Sequence, residues 1–231
     1  MKPLDVFIAG ELIDLCIPTE EFARESNWYS WFNNNTITKY LEQGVFPNSP
    51  DDQVNFFKTQ KSSGRLMLII SNKRNYMGII SLSKIDLIKK TCDIALVVDS
   101  SIDKKMSPFI SLEAMARVSE HAFINIGINR IEAGQHQKLK GWQQRLELLG
   151  YKLEGIHTRK FVKKRELANS VSIACTYNDY LEIIKIRGHY WDCLDKMIKR
   201  INLLPEKSFA DILNCYFSNE RESYYNKVFS L

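Results

Sequence analysis

The stretch CDIALVVDSSIDKKMSPFISLEAMARVSEHAF, residues 92–123, decides the fold. Its first seven residues, Cys92 to Val98, form a bulky and nearly continuous apolar run. The length and composition suit a central strand buried on both faces. A polar loop follows, then a helix expected from about Ser111 to Asn125, with Leu112, Ala116, Val118, Ala122 and Phe123 at helical spacing. A loop between strand and helix is a common place to cradle a phosphate, because a helix start offers backbone N–H groups and a favourable dipole. Such loops usually carry glycine, which permits close approach and positive φ. This one contains none.

Working toward the N-terminus, Leu66 to Ser71 and Tyr76 to Ser83 read as an antiparallel hairpin around the turn Asn72-Lys73-Arg74-Asn75. Ser49-Pro50-Asp51-Asp52 is a helix start with proline at the first position, and Thr19-Glu20-Glu21 is another. Between them, NWYSWFNNNTITKYLEQGVFP sets Trp28, Tyr29, Trp31, Phe32, Tyr40 and Phe46 around three asparagines. Toward the C-terminus, Arg130 to Ala133 is a short strand, and Gly141 to Leu149 is a helix closed by Gly150. Strands Tyr151 to Phe161 and Ser170 to Tyr177 then bracket the basic run His157–Arg165. Asn178 to Arg187 and Trp191 to Tyr225 are helical, the latter interrupted at Pro205. This order predicts a mixed α/β (α+β) domain over residues 1–185 and a helical extension over 186–231, packed on the domain or on a partner subunit.

Composition narrows the function. The 231 residues are 45% hydrophobic with a formal charge of +5, enough for one core and too mild a charge to indicate nucleic acid. The basic run lacks an aromatic stripe and reads as a solvated turn. Five scattered cysteines without a C-x-x-C pair argue against a disulfide framework or a metal site and for a reducing, cytoplasmic setting. No apolar run reaches membrane-spanning length, and the N-terminus has no signal-peptide pattern.

The segments CDIALVVD, SLEAMARVSEHAF, INIGINRIEAG and RLELLGYKLEG together resemble the Gcn5-related N-acetyltransferase (GNAT) superfamily. The Leu149-Gly150-Tyr151-x-x-Glu154-Gly155 ending is the most specific part. The resemblance implies a mostly antiparallel sheet with one splayed strand pair, flanking helices, and acetyl-CoA between the splayed strands. The coenzyme pyrophosphate would sit on the loop before the long helix. The expected coenzyme contacts are then Leu96, Val97 and Val98 on the central strand and Ser107, Phe109, Ile110 and Ser111 at the loop and helix start, with Lys104 and Lys105 adding charge. Three positions depart from the family pattern. The loop motif falls on Met106, Phe109 and Ser111, and the usual Asn/Ser pair on Leu139 and Trp142. The tyrosine that often protonates the leaving thiolate falls on Leu146.

Acetyl transfer to an amine needs a neutral amine, a polarised carbonyl and a stabilised thiolate. The polar cluster Glu132, Gln135, His136 and Gln137 closes the strand that splays away. His136 suits a proton acceptor by its ordinary pKa of about 6.5, or is a loop histidine without a role; Glu132 and Asp93 are alternative bases. For the acceptor, Trp31, Asn33, Asn34, Asn35 and Trp142 are the expected contacts, because aromatic faces with interleaved amides suit a base or sugar ring. The resemblance narrows to enzymes acetylating a nucleotide-linked amino-deoxyhexose, a dTDP- or UDP-linked 3- or 4-amino sugar of surface-polysaccharide biosynthesis, acting as a homodimer. Two alternatives stand beside this reading: an N-terminal acetyltransferase of the ribosomal-protein type, and a non-catalytic assembly protein working through its helical extension.

Overall fold

A computed structural model describes residues 2–72 and 75–231. Eight strands form one sheet in the order β1-β2-β3-β4-β5-β6-β8-β7. These are β1 (Val6–Ala9), β2 (Asp14–Cys16), β3 (Leu66–Ser71), β4 (Tyr76–Asp86), β5 (Thr91–Val98), β6 (Arg130–His136), β7 (Lys152–Lys163) and β8 (Glu166–Thr176). Neighbouring strands run antiparallel except β5 and β6, which run parallel. This is the mixed, mostly antiparallel sheet expected from the sequence. Lys73 and Arg74, the middle of the expected β3–β4 turn, lie outside the described residues.

Strand alternation sends side chains to two cores. On one face Ile80, Leu82, Cys92, Ile94 and Ile131 pack under helix α5 (Ser107–His121), helix α6 (Lys140–Glu147) and helix α7 (Tyr177–Arg187). On the other, Met67, Ile69 and Ile79 pack under helices α1 (Glu20–Glu25), α2 (Trp28–Trp31) and α4 (Pro50–Ser62) through Phe22, Trp28, Trp31 and Phe57. Helix α3 (Asn35–Thr38) continues from α2 as a single turn. α4 starts where its sequence indicates, with Ser49 and Asp52 closing a capping box and Pro50 following. Gly150 adopts φ +81° behind α6, where a Cβ would also crowd Asp179 at 3.1 Å.

The main differences from expectation concern α5, β1 and β2. α5 begins at Ser107, a full turn before Ser111, because Pro108 fits the first turn of a helix and Met106 carbonyl already accepts from Phe109 and Ile110 N–H (both 3.0 Å). Strands β1 and β2 were not apparent in the sequence, since four- and three-residue strands carry too few alternations to register.

The start of the C-terminal segment is stitched to the sheet. Tyr190, Trp191 and Met197 are buried in the first core, and Glu11 carboxylate accepts from Trp191 Nε1 (2.9 Å) and Leu194 N–H (3.0 Å). Helices α8 (Leu194–Asn202) and α9 (Phe209–Phe229) follow. The turn that presents Glu11 is itself held by Glu113 of α5. This carboxylate has no solvent exposure and accepts from Glu11 N–H (2.6 Å), Leu12 N–H (2.7 Å) and Arg117 (3.1 Å). A buried carboxylate is tolerated only when so satisfied. Glu113→Gln keeps the shape but turns one acceptor into a donor facing backbone N–H groups. It should lower unfolding stability by about 1–3 kcal/mol in urea titration, whereas Arg117→Met, at a partly exposed site, should cost less.

Candidate active site

The parallel pair β5 and β6 is joined only at its N-terminal end, at Thr91–Arg130, Cys92–Ile131 and Asp93–Glu132. Beyond Asp93 and Glu132 the strands part. β5 stays paired with β4 as far as Val98, and β6 stays paired with β8 as far as His136. The backbone directions in the gap follow from the ladders. Asp99 N–H donates to Met77 carbonyl of β4 (2.7 Å), so by alternation Val97 and Ala95 also turn toward β4. The backbone N–H and C=O of Leu96 and Val98 therefore point the other way, into the gap. On the facing side, Tyr177 N–H donates to Asn129 carbonyl (2.8 Å) and Gln137 N–H to Asn169 carbonyl (3.1 Å), which turns the odd residues of β6 toward β8. Gly134 then presents its backbone to the gap, and a side chain there would meet nothing nearer than Ser170 Oγ at 3.8 Å.

The expected coenzyme contacts divide accordingly. Leu96 and Val98 are half-buried with their backbone toward the gap, whereas Val97 packs its side chain into the second core. The sequence reading of β5 as buried on both faces holds for Cys92 and Ile94 but not for Ala95, which is exposed, nor for residues 96–98. The loop 99–106 differs from a glycine-rich cradle in kind. Ser107 N–H donates to Asp103 carbonyl (2.9 Å), Phe109 and Ile110 to Met106, and Pro108 has no N–H. Asp99 and Asp103 carboxylates take Ser101 and Lys105 N–H (both 2.9 Å). The helix start therefore has its N–H groups already engaged. Ser111, expected at the helix start, is buried one turn inside α5. Lys104 and Lys105 are exposed.

On the α1–α4 side of the sheet, a cavity of about 540 Å³ lies against Ala95, Leu96 and Val97. Its walls include Phe32, Phe46, Phe56, Met67 and Ile79, and its polar groups include Gln53, Arg65 and Ser81. Its outer wall is the segment 41–48, which leaves α3, crosses toward β6–β8–β7 and returns to α4. Lys163 pins it there: its ammonium, buried at 8% exposure, donates to the carbonyls of Thr38, Leu41 (3.0 Å) and Gln43 (2.7 Å). Asn33 and Asn48 close its return by exchanging two bonds of 2.7 Å. A second, more polar cleft of about 820 Å³, lined by Trp31, Tyr76, Asp99 and Asp103, lies on the other side of the loop 99–106 and does not reach the parting strands.

Three of the five expected acceptor contacts are engaged within the chain. Trp31 is 3% exposed and donates from Nε1 to Asp99 (3.1 Å), so it anchors the loop and is not an open face. Asn34 caps α3 by accepting from Thr36 N–H (2.8 Å) and donates to Ser100 Oγ (3.1 Å). Asn33 is spent on Asn48, Asn35 is exposed at the start of α3, and Trp142 packs half-buried on the first core. Arg65, Gln53 and Lys163 were not singled out from sequence. Lys163 was hidden in the basic run, and only its two-residue spacing from Phe161 on one strand face marks it as inward.

Among the candidate bases, the structure separates His136 from the carboxylates. Glu132 and His136 lie four residues apart on one strand face, about 13 Å along it. The His136 ring is 2% exposed, set between Tyr40 (4.7 Å) and Phe161 (4.6 Å), with Nδ1 accepting from Lys138 N–H (3.1 Å) and Nε2 standing 3.6 Å from Glu166. Burial pushes its pKa below the ordinary value, outweighing the attraction of Glu166. Asp93 and Glu132 lie at the crotch of the parting, paired with Lys84 (2.6 Å) and Arg130 (2.7 Å).

Solved structures share this fold. A spermidine N-acetyltransferase from Vibrio cholerae, in complex with CoA and spermine, is 14% identical with a TM-score of 0.65 over 74% of this chain and 98% of its own. The microcin self-immunity acetyltransferase MccE, with acetyl-CoA and AMP, is 21% identical with a TM-score of 0.60 over 72% and 93%. Mycobacterium smegmatis RimJ, with CoA-disulfide, is 14% identical with a TM-score of 0.64 over 77% and 90%. This is the GNAT fold. No protein-family model matches the sequence, and no curated protein sequence matches it. The GNAT fold explains the parted strands as a feature of the architecture rather than a local defect.

Two outcomes check the site's construction. Because the folded His136 has a lowered pKa, the unfolded chain takes the proton first as pH falls. The stability tied to neutral His136 is whole above about pH 6.5 and is lost as pH drops from there toward the depressed value. The urea midpoint of the native protein should therefore fall between pH 7 and about pH 5.5, and His136→Phe should shrink that fall. Lys163→Met should release the 41–48 wall, seen as increased proteolytic cleavage within that segment and not elsewhere.

Proposed function

We infer that the protein is an acetyl-CoA-dependent N-acetyltransferase, and the observation that carries this is the pair of unpaired backbone edges at Leu96, Val98 and Gly134. An extended arm bearing amides can complete both ladders as a strand would. The acyl-pantetheine arm of acetyl-CoA has that chemistry, and the GNAT neighbours hold CoA or acetyl-CoA. The diphosphate would then lie near the loop 99–106 and meet the ammonium groups of Lys104 and Lys105, since the backbone donors of α5 are engaged. The thioester carbonyl accepts from a β5 N–H at Leu96 or Val98, which stabilises the oxyanion as the amine attacks. The C–N bond forms, the C–S bond breaks, and coenzyme A leaves as the thiol, its sulfur taking through water the proton that the acylated nitrogen loses. Asp93 and Glu132 at the crotch receive the ammonium proton through water. Leu146 is buried in the first core, so no tyrosine serves the thiolate from that position.

For the acceptor, the reading is an amino sugar linked to a nucleotide, bound in the 540 Å³ cavity beside Ala95. The aromatic wall of Phe32, Phe46 and Phe56 suits a sugar or base face, and the presence of AMP with acetyl-CoA in the MccE structure is in keeping with a nucleotide on this fold.

Calorimetric titration with acetyl-CoA tests the coenzyme half of this reading. Micromolar binding is expected. Leu96→Pro and Val98→Pro each remove one gap-facing N–H and spare the β4 ladder, so each should weaken binding about fivefold, the worth of one hydrogen bond of ~1 kcal/mol. No heat at millimolar acetyl-CoA, or proline variants that fold and bind unchanged, would overturn it.

A further inference from the structure

The acceptor cavity holds a cation, Arg65, that forms no ion pair among the described residues, although Glu42 of the 41–48 wall also lines the cavity. Arg65 stands at the end of the α4–β3 turn, half-buried, and its guanidinium donates to Ser81 Oγ (2.8 Å) and Gln60 Oε1 (3.0 Å), both neutral groups. Its Nε is buried without a partner, and no carboxylate among the described residues pairs with it. Beside it, Gln53 is 1% exposed. Its Oε1 accepts from Asn48 (2.9 Å), while its Nε2 is buried and has no partner. Burial holds the Arg65 guanidinium below its ordinary pKa. Two unused donors, one of them charged, lie at one end of a cavity whose other walls are mostly apolar but carry Glu42, Gln43 and Asn48 on the outer segment. Buried donors of this kind are costly unless a ligand satisfies them.

We propose that Arg65, with Gln53, is a specificity-determining anion site for the acceptor, and that the acceptor carries a phosphate or carboxylate about 10 Å from its reacting amine. The spacing comes from the sheet. Ser81, which Arg65 touches, pairs with Ala95 on β5, and the gap that takes the thioester lies one strand further. Two strand spacings are about 10 Å. That distance excludes α-amino acids, whose amine and carboxylate are neighbours. A pyranose with an amine opposite its anomeric diphosphate fits, and so does the side-chain amine of a lysine with its own carboxylate. The guanidinium fork favours either oxyanion by paired hydrogen bonds. This inference rests on the acceptor cavity assigned above.

The test uses two matched pairs: dTDP-4-amino-4,6-dideoxyglucose against the free amino sugar, and Nα-acetyl-lysine against cadaverine. Each is titrated into the protein calorimetrically, without coenzyme, and then assayed for acetyl transfer. At least one anionic member should bind 10- to 100-fold tighter than its partner, the worth of a charge-assisted contact, and its affinity should fall with added salt. Arg65→Gln should erase that preference. Preference for the nucleotide sugar alone identifies phosphate, and for Nα-acetyl-lysine alone carboxylate. Equal binding within both pairs, no binding by either anionic member, or a preference that survives in a folded Arg65→Gln protein would overturn the proposal. Because these titrations omit acetyl-CoA, they fail or succeed independently of the coenzyme reading.

Discussion

Backbone hydrogen bonding sets the terms of this structure. A sheet interior normally leaves no N–H or C=O without a partner, and the parallel pair β5 and β6 breaks that rule beyond Asp93 and Glu132. The break is sustainable because each strand keeps a full antiparallel ladder on its other edge, β5 with β4 and β6 with β8. The long β7–β8 hairpin is what holds β6 away from β5, and it reaches back across the sheet through Lys163 to hold the segment 41–48. The parting and the 41–48 wall of the neighbouring cavity are thus linked through one side chain, a single ammonium that holds three carbonyls.

On the proposed reading, the loop after β5 keeps its place beside the coenzyme and changes the means of holding it. Helix starts attract anions through free N–H groups and the dipole. Here Asp103 and Met106 carbonyls close the first turn, and Pro108 removes one donor outright. What remains is charge on flexible stems at Lys104 and Lys105, set against Asp99 and Asp103. Glycine is dispensable in such a loop because the backbone is no longer asked to approach a ligand. The cost is that contacts made by exposed ammonium groups are screened by salt far more than contacts made by N–H groups at a buried helix end.

Much of this was legible in the sequence. The strand at 91–98, the β3–β4 hairpin, the caps at Thr19 and Ser49 and the Gly150 stop all follow from local rules, and the order of elements carried the fold. The site was less legible, because its key facts are relations between distant segments. Nothing near Trp31 announces Asp99, 68 residues away, as its partner, and an aromatic rich in exposed-looking neighbours proved to be an anchor. His136 has the chemistry of a base, but Tyr40 and Phe161 enclose it, and they come from different elements. Arg65 and Gln53 are ordinary in sequence and become distinctive only when the fold leaves their donors without acceptors.

On the proposed reading, the electrostatic layout of the cavity bears on how the acceptor amine becomes reactive. Asp93 and Glu132 favour the ammonium form at the crotch, and by themselves would hold the amine protonated and inert. Arg65 acts in the opposite sense. At about 10 Å and an effective dielectric near 20, a guanidinium disfavours an ammonium by about 1.7 kcal/mol, a shift of roughly 17-fold toward the free amine. An anion bound to Arg65 cancels that push. Acceptor recognition and amine activation therefore compete, and the balance depends on Lys84 and Arg130, which already draw down the charge of the two carboxylates. In the proposed reaction, the salt pairs at the crotch thus have a consequence beyond stability: they moderate the pull of the two acids on the ammonium while leaving both able to receive its proton through water.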